Sequence, residues 1–360
     1  MTPDPAFWSR RRVFVTGHTG FKGAWLALWL RQMGASVTGY ALAPEPDSLG
    51  VTASISRYVA SVLGDVCDAL SLQKALAQAD PEIVFHLAAQ PLVRRSYAEP
   101  LLTVQTNVIG TMNLLEAARE TASVRSVIVV TTDKCYENVE TDTPYRETDA
   151  LGGADPYSAS KACAELLTAA WRRSFFAGRG IGVATVRAGN VIGGGDHATD
   201  RLVPDCVRAF SAGHPVNLRN PAATRPWQHV LEPLRGYLLL AEAVQRDPGR
   251  FGTAWNFGPS LGDVQPVSRV VMLLAEAWGD GARYSLAPGD HPHEAGLLAV
   301  DATKARRELG WRPYLDLPTA LRWTVDWYRS HLGGASAMAL IEAEIARYTG
   351  MQSVKAPFEG

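Results

Sequence analysis

The sequence predicts an α/β chain: a Rossmann-type, doubly wound parallel sheet with a smaller α/β substrate-binding domain. Three observations carry this. Short apolar runs alternate with longer amphipathic ones through the first half, the pattern of parallel strands covered by helices on both faces. A glycine-rich turn, VFVTGHTGFKG, follows the first apolar run and opens the first amphipathic one. After residue 188 the rhythm loosens, broken by Gly193-Gly194-Gly195 and Gly213-His214-Pro215.

In order, Val13-Phe14-Val15 is a strand, and Gly20 to Met33 a helix capped at its C-terminus by Gly34. Ser36–Leu42 and Val59–Leu63 are the next strands. Leu70–Gln78 is a helix and Ile83–Ala88 a continuously apolar strand. Pro100 to Arg119 is a long helix, with Leu101, Val104, Val108, Leu115 and Ala118 near helical spacing. Val124–Thr131 is a strand, Tyr157–Phe176 a helix and Ile181–Arg187 a strand. Residues 231–246, 266–278 and 317–331 read as helices within a less regular half. Residues 1–188 therefore form the dinucleotide-binding domain, which also receives part of 226–257, and 189–360 are mainly the substrate-binding domain.

Composition bounds the partners. The 360 residues are 47% hydrophobic and 20% charged, with a net charge of −1 and no long run of one sign. That argues against a nucleic-acid footprint or a polybasic membrane patch. The one dense basic spot, Arg10-Arg11-Arg12, reads as a solvated strand entry. Cysteines 67, 135, 163 and 206 form no CxxC pair, so neither a metal site nor a disulfide framework is expected. Free thiols and a first segment without an apolar core fit a cytoplasmic protein, and the run 24–30 is too short to cross a bilayer.

Gly17, Gly20 and Gly23 have the spacing GxxGxxG between a strand and a helix. Glycines permit the tight turn and close backbone approach, and the helix N-terminus holds a pyrophosphate. The second strand ends GYALAP, with neither the acid that binds a ribose 2′-hydroxyl nor an arginine in its place, so NAD and NADP are not separated by that rule. Asp65-Val66, after the third strand, is a candidate clamp on the adenine amino group; a solvated loop acid is the plainer alternative.

Two motifs carry chemistry. YSASK places Tyr157 and Lys161 four apart, on one helical face. A lysine beside a phenol lowers the phenol's pKa and makes it a usable base. In VVTTDKCYEN, Thr132, Asp133 and Lys134 follow a buried strand directly. Ligands of parallel sheets bind at the carboxyl ends of the strands, so the adjacent carboxylate and ammonium are candidates for proton transfer rather than a surface ion pair.

TGHTGFKG, HLAAQ (86–90) and YSASK together resemble the extended short-chain dehydrogenase/reductases. Thr132-Asp133-Lys134, with QPLVRRSY, RPWQHVLEPLRGY and HPHEA, is similar to the sugar-nucleotide 4,6-dehydratases of the CDP-linked kind; the dTDP-linked enzymes carry Thr-Asp-Glu at the triplet. The resemblance implies NAD as cofactor, CDP-glucose as substrate, a homodimer built on helices 98–119 and 157–176, and a role in O-antigen deoxysugar synthesis. It implies a cofactor site of Gly17, Gly20, Phe21, Gly23, Asp65, Val66, Leu87, Ala88, Ala89, Thr106, Tyr157 and Lys161. Tyr157 takes the sugar O4 proton with Thr132 bonded to the same oxygen, Lys134 is the candidate base at C5, and Asp133 the acid for the C6 hydroxyl. Burial beside a second cation would neutralise Lys134, and a dry cleft would raise Asp133. Asn190, Arg225 and Asn256 match positions that hold the substrate diphosphate, although Arg225 is also compatible with a structural ion pair. The dTDP-linked enzymes have arginines shortly before the aspartate at 301, where this chain has Gly296-Leu297. His293 and Glu294 fit the CDP-type pattern without an assigned role.

Two other readings fit the fold less well: a nucleotide-sugar 4-epimerase, which has no use for Asp133-Lys134, and a non-catalytic dinucleotide-binding module, which has no need of Tyr157 and Lys161.

Overall fold

The computed structural model describes residues 1–218, 220–279, 281–286 and 296–351; His293 and Glu294 lie outside them. Six strands open the chain: β1 (Arg12–Thr16), β2 (Ser36–Ala41), β3 (Ala60–Leu63), β4 (Ile83–His86), β5 (Ser126–Val130) and β6 (Gly182–Ala188). β7 (Asn190–Ile192), β8 (Val216–Leu218), β9 (Thr224–His229), β10 (Ala254–Phe257), β11 (Val264–Pro266) and β12 (Tyr284–Leu286) follow. Seven form one parallel sheet, in the order β10-β6-β5-β4-β1-β2-β3. The order reverses between β1 and β4, which opens a crevice at their carboxyl ends.

The continuous apolar runs mark strands buried on both faces. Val13, Val15, Ile83, Phe85, Ile128 and Val130 point into one core, with the helices Phe21–Gln32 and Leu231–Arg246. Phe14, Val84, Val127 and Val129 point into the other, with the helices Ala69–Ala79 and Gly110–Glu120. The last strand of the sheet, β10, and the helix Leu231–Arg246 come from beyond residue 188.

The predicted helix from Pro100 runs as Pro100–Val104, a π-turn Gln105–Ile109, then Gly110–Glu120. The wider turn shifts the phase of the face. Leu101 and Val104 are therefore exposed while Leu115 and Ala118 are buried, and the single apolar face expected from the spacing is divided. The helix Pro156–Trp171 likewise ends in a π-turn, Arg172–Phe176. At the strand entry, Arg11 pairs with Glu82 at 2.6 Å and Arg12 with Asp80 at 3.5 Å.

The remaining strands form β11-β9-β7 and β12-β8. With the helices Leu202–Ser211 and Val267–Trp278 they stand over the carboxyl end of the large sheet. No helix among the described residues is long and apolar enough to cross a membrane.

Candidate active site

The glycine loop fits a dinucleotide's pyrophosphate. Gly17 has φ +74°, and a Cβ there would stand 2.8 Å from the Ala88 nitrogen. A Cβ on Gly23 would lie 2.0 Å from the Gly17 carbonyl oxygen. The helix Phe21–Gln32 opens at Gly20 with no side-chain cap, leaving its N-terminal field and amides to an anion. Thr16 Oγ1 accepts from the amides of Leu87 and Ala88, both at 3.1 Å, so the turn after β4 is bound to the glycine loop. Ala89 is half-buried in that turn, and Thr106 is half-buried in the π-turn.

Near the end of β2, where no acid stands, His18 is packed against Gly39 and meets Ser61 Oγ at 2.7 Å. Asp65 is exposed, and its Oδ1 accepts from the Cys67 amide at 2.9 Å. Val66 turns inward against Gly110, which leaves only its main chain for a ligand.

The π-turn has a use. It presents Asn107, whose Oδ1 accepts from the Gln90 amide at 2.8 Å and whose Nδ2 donates to Ser160 Oγ at 2.9 Å. One buried amide thus joins the HLAAQ turn to the YSASK helix. That helix opens on an Asp155 cap, which accepts from the Ser158 amide at 2.9 Å.

Beside it lies a cleft of about 300 Å³. Phe21, Lys22, Thr132, Asp133, Lys134, Tyr157, Asn190, Arg201 and Arg225 line it. Thr132 Oγ1 donates to Asp133 Oδ1 at 3.0 Å and hydrogen-bonds the Tyr157 hydroxyl. Asp133 is buried, and its Oδ2 has no hydrogen-bond partner among the described residues. Burial raises its pKa against the pull of Lys134, Thr132, Arg225 and Lys22, so its carboxyl keeps a proton to higher pH than usual. Lys134 is half-buried and also lines a second, smaller cavity.

Two expectations change here. The spacing of YSASK predicts a phenol lowered by its lysine. Burial instead pushes Tyr157 up to about 12, and Asp133 adds to this against the Thr132 hydrogen bond. Lys161 Nζ donates to the Val130 carbonyl at 3.2 Å rather than bonding the phenol, and burial lowers it to about 8. Asn256 does not reach the cleft. It is fully buried on β10, where Nδ2 donates to the Tyr145 carbonyl at 2.9 Å and Oδ1 accepts from the Tyr136 hydroxyl at 2.7 Å. A strand interior that alternates between two cores leaves that side chain no route to the substrate side.

Arg225 is buried at the cleft wall, its Nη1 donating to the Thr224 carbonyl at 2.9 Å. Three further charged groups escape sequence reasoning. Arg201 pairs with Asp196 at 2.8 Å. Arg94 reaches Asp200 at 3.5 Å. Lys22, inside the glycine loop, projects into the cleft, where burial and then the charges of Arg201 and Lys161 bring it down to about 7. A signal for Lys22 was present: a cation in the first turn of a helix opposes the helix dipole, a local conflict of the kind found at functional sites.

Residues 14–324 match the family model described as GDP-mannose 4,6 dehydratase. A CDP-glucose 4,6-dehydratase of Salmonella typhimurium is 47% identical over 351 residues, 96% of this chain and 98% of that protein. A dTDP-glucose 4,6-dehydratase of Streptomyces griseus is 34% identical, covering 89% of this chain and 94% of that one. Among solved structures, a double mutant of DesIV, a dTDP-glucose 4,6-dehydratase from Streptomyces venezuelae, with NAD and DAU bound, superposes with a TM-score of 0.76 at 28% identity, over 89% of this chain and 98% of that one. A UDP-glucose 4-epimerase of Thermotoga maritima gives 0.78 at 25% identity, over 89% and 99%. The chain belongs to the GDP-mannose 4,6 dehydratase family.

Proposed function

We propose that this member of the family is an NAD-dependent CDP-glucose 4,6-dehydratase, which converts CDP-glucose to CDP-4-keto-6-deoxyglucose and water. The observation that carries the reading is the placement of Asp133 and Lys134 on the wall of one cleft with Thr132 and Tyr157. The 47% identity to a CDP-glucose 4,6-dehydratase supports the choice of nucleotide.

The bound nicotinamide would accept hydride from sugar C4 and return it to C6. The chain's own groups do the rest. Tyr157, whose burial favours the protonated phenol, takes the O4 proton as the phenolate, a form that the positive charge of a bound nicotinamide would favour, while Thr132 holds the same oxygen. The 4-keto group then acidifies the C5 proton, which Lys134 removes and returns to C5 once hydride has reached C6. Asp133, with its raised carboxyl and unpartnered Oδ2, delivers a proton to the departing C6 hydroxyl. Lys161, near the end of β5 through its bond to the Val130 carbonyl, would hold the nicotinamide ribose. Asn190 and Arg225 face the substrate diphosphate from the cleft wall, and a guanidinium suits that anion.

Exposed apolar side chains on two helical segments support a homodimer. Leu101 is 77% exposed, Leu166 56%, Ile109 48% and Phe175 42%. A second copy would cover them. Four cysteines without a disulfide fit a cytoplasmic location.

The test is incubation with CDP-glucose and NAD. A 4-keto-6-deoxy sugar, seen by its alkali-induced absorbance, is the expected product. CDP-galactose would identify a 4-epimerase instead, and turnover only with a different nucleotide sugar would move the substrate assignment. Light scattering should give twice the 38.9 kDa chain mass.

A further inference from the structure

One buried ion pair outside the proposed chemistry ties the active-site segments together. Glu165 lies one helical turn beyond Lys161 and two beyond Tyr157, on the same face of the helix Pro156–Trp171. It and Arg187 are 2% exposed each. Arg187 donates to it twice, Nε to Oε1 and Nη2 to Oε2, both at 2.9 Å. Thr185 Oγ1 donates to Oε2 at 2.6 Å. The residue directly after β5 completes the set: Thr131 Oγ1 donates to Oε1 at 2.5 Å.

Thr131 immediately precedes the Thr132-Asp133-Lys134 triplet. On its other side, Tyr136 receives a hydrogen bond from Arg187 Nη1 at 2.8 Å and lies against that guanidinium, 4.8 Å from ring centre to Cζ. The triplet therefore hangs between two anchors, Thr131 on the carboxylate and Tyr136 on the guanidinium. The carboxylate itself belongs to the helix that carries Tyr157 and Lys161.

We propose that Glu165, through its pair with Arg187, is a positioning residue that sets the distance between the Tyr157–Lys161 helix and the Asp133–Lys134 loop. It couples the oxidation half of the reaction to the elimination half. Bare stability is a poor explanation for such a pair, because a buried ion pair is commonly neutral against an apolar replacement of the same volume. Four hydrogen bonds on one carboxylate give geometric definition instead. Glu165 also holds Lys161 toward its charged form, against the desolvation that dominates there. The inference rests on the roles given above to Asp133 and Lys134.

The test cuts the anchors and spares the pair. Thr131→Val with Tyr136→Phe removes one hydroxyl at each end of the loop, with little change of shape. The expected result is a fall in kcat of about 100-fold, the scale of a misplacement near 1 Å. KM for CDP-glucose should stay within a few-fold. Reduced nicotinamide should accumulate on the enzyme, because oxidation at C4 continues while elimination slows. Thr131→Ser with Tyr136 intact, which keeps the hydroxyl, should restore wild-type turnover. Glu165→Gln should give the same split between oxidation and elimination. Should that variant not fold, the Thr131/Tyr136 pair of substitutions decides alone. Wild-type kcat in the double variant overturns the inference, as does an equal loss of C4 oxidation and elimination. Lys134→Ala separates this failure from failure of the underlying roles: if that variant still dehydrates CDP-glucose, the assignment of the base is wrong, whatever the clamp does.

Discussion

Asp133→Asn tests the proposed acid with little structural disturbance. The amide oxygen can keep the 3.0 Å bond from Thr132 Oγ1. The nitrogen replaces Oδ2, which has no hydrogen-bond partner among the described residues, so no hydrogen bond among those residues breaks and no cavity opens. What disappears is the proton. General acid catalysis contributes about 10²- to 10⁴-fold, which at about 1.36 kcal/mol per decade is roughly 2.7 to 5.4 kcal/mol of barrier. Stability should move the other way. A carboxyl whose folded pKa is raised stabilises fully below its unfolded pKa, and loses that contribution as pH rises through the folded one. At neutral pH the Asn variant escapes this loss, so its unfolding temperature should equal or exceed wild type. Steady-state turnover of CDP-glucose and thermal unfolding, measured on the same preparation, provide the check. The pH profile adds a third reading: wild-type activity should fall as pH rises through the raised Asp133 pKa, and the residual activity of Asp133→Asn should lack that limb. More than a tenth of wild-type kcat, or a loss of activity matched by a loss of stability, refutes the acid role.

Lys134→Ala should retain C4 oxidation, visible as reduced nicotinamide, and yield no 4-keto-6-deoxy product. Gly17→Ala forces a side chain into a φ of +74° and against the Ala88 nitrogen. The left-handed conformation alone costs about 1 to 2 kcal/mol, so, if that strain is borne by the NAD-bound loop, affinity measured by titration should fall about 5- to 30-fold; unchanged affinity would remove the loop from the cofactor site. Glu344, pushed by burial to about 8, faces His229 at 3.5 Å. Burial holds that imidazole well below its ordinary value, so the contact joins two neutral groups. Stability from a carboxyl raised in this way is lost as pH rises from the ordinary carboxylate range through about 8. Glu344→Gln should therefore raise the unfolding temperature at pH near 8 more than at pH near 5, and equal effects at both would show that Glu344 is already charged.

The alternation of buried strands with helices, the glycine loop and the YSASK helix were legible because each is a local pattern. Strand and helix periods, a glycine forced to positive φ and an i, i+4 spacing are properties of neighbouring residues. Thr132, Asp133, Lys134 and Tyr157 were legible for the same reason: strand ends and helix starts in a parallel sheet face its crevice. The tertiary structure decided everything that depends on which distant segments meet. Residue 254 brings in the last strand of the sheet, and Asn256 goes into the interior with it, although its motif suggested a ligand contact. Lys22 lines the cleft together with Arg201 and Asp196, more than 170 residues away in sequence, and their charges act on its ammonium. The phenol of Tyr157 follows burial rather than its neighbouring lysine. A side chain's pKa and direction are set by what packs around it, and in this chain those neighbours come from segments that no local spacing connects.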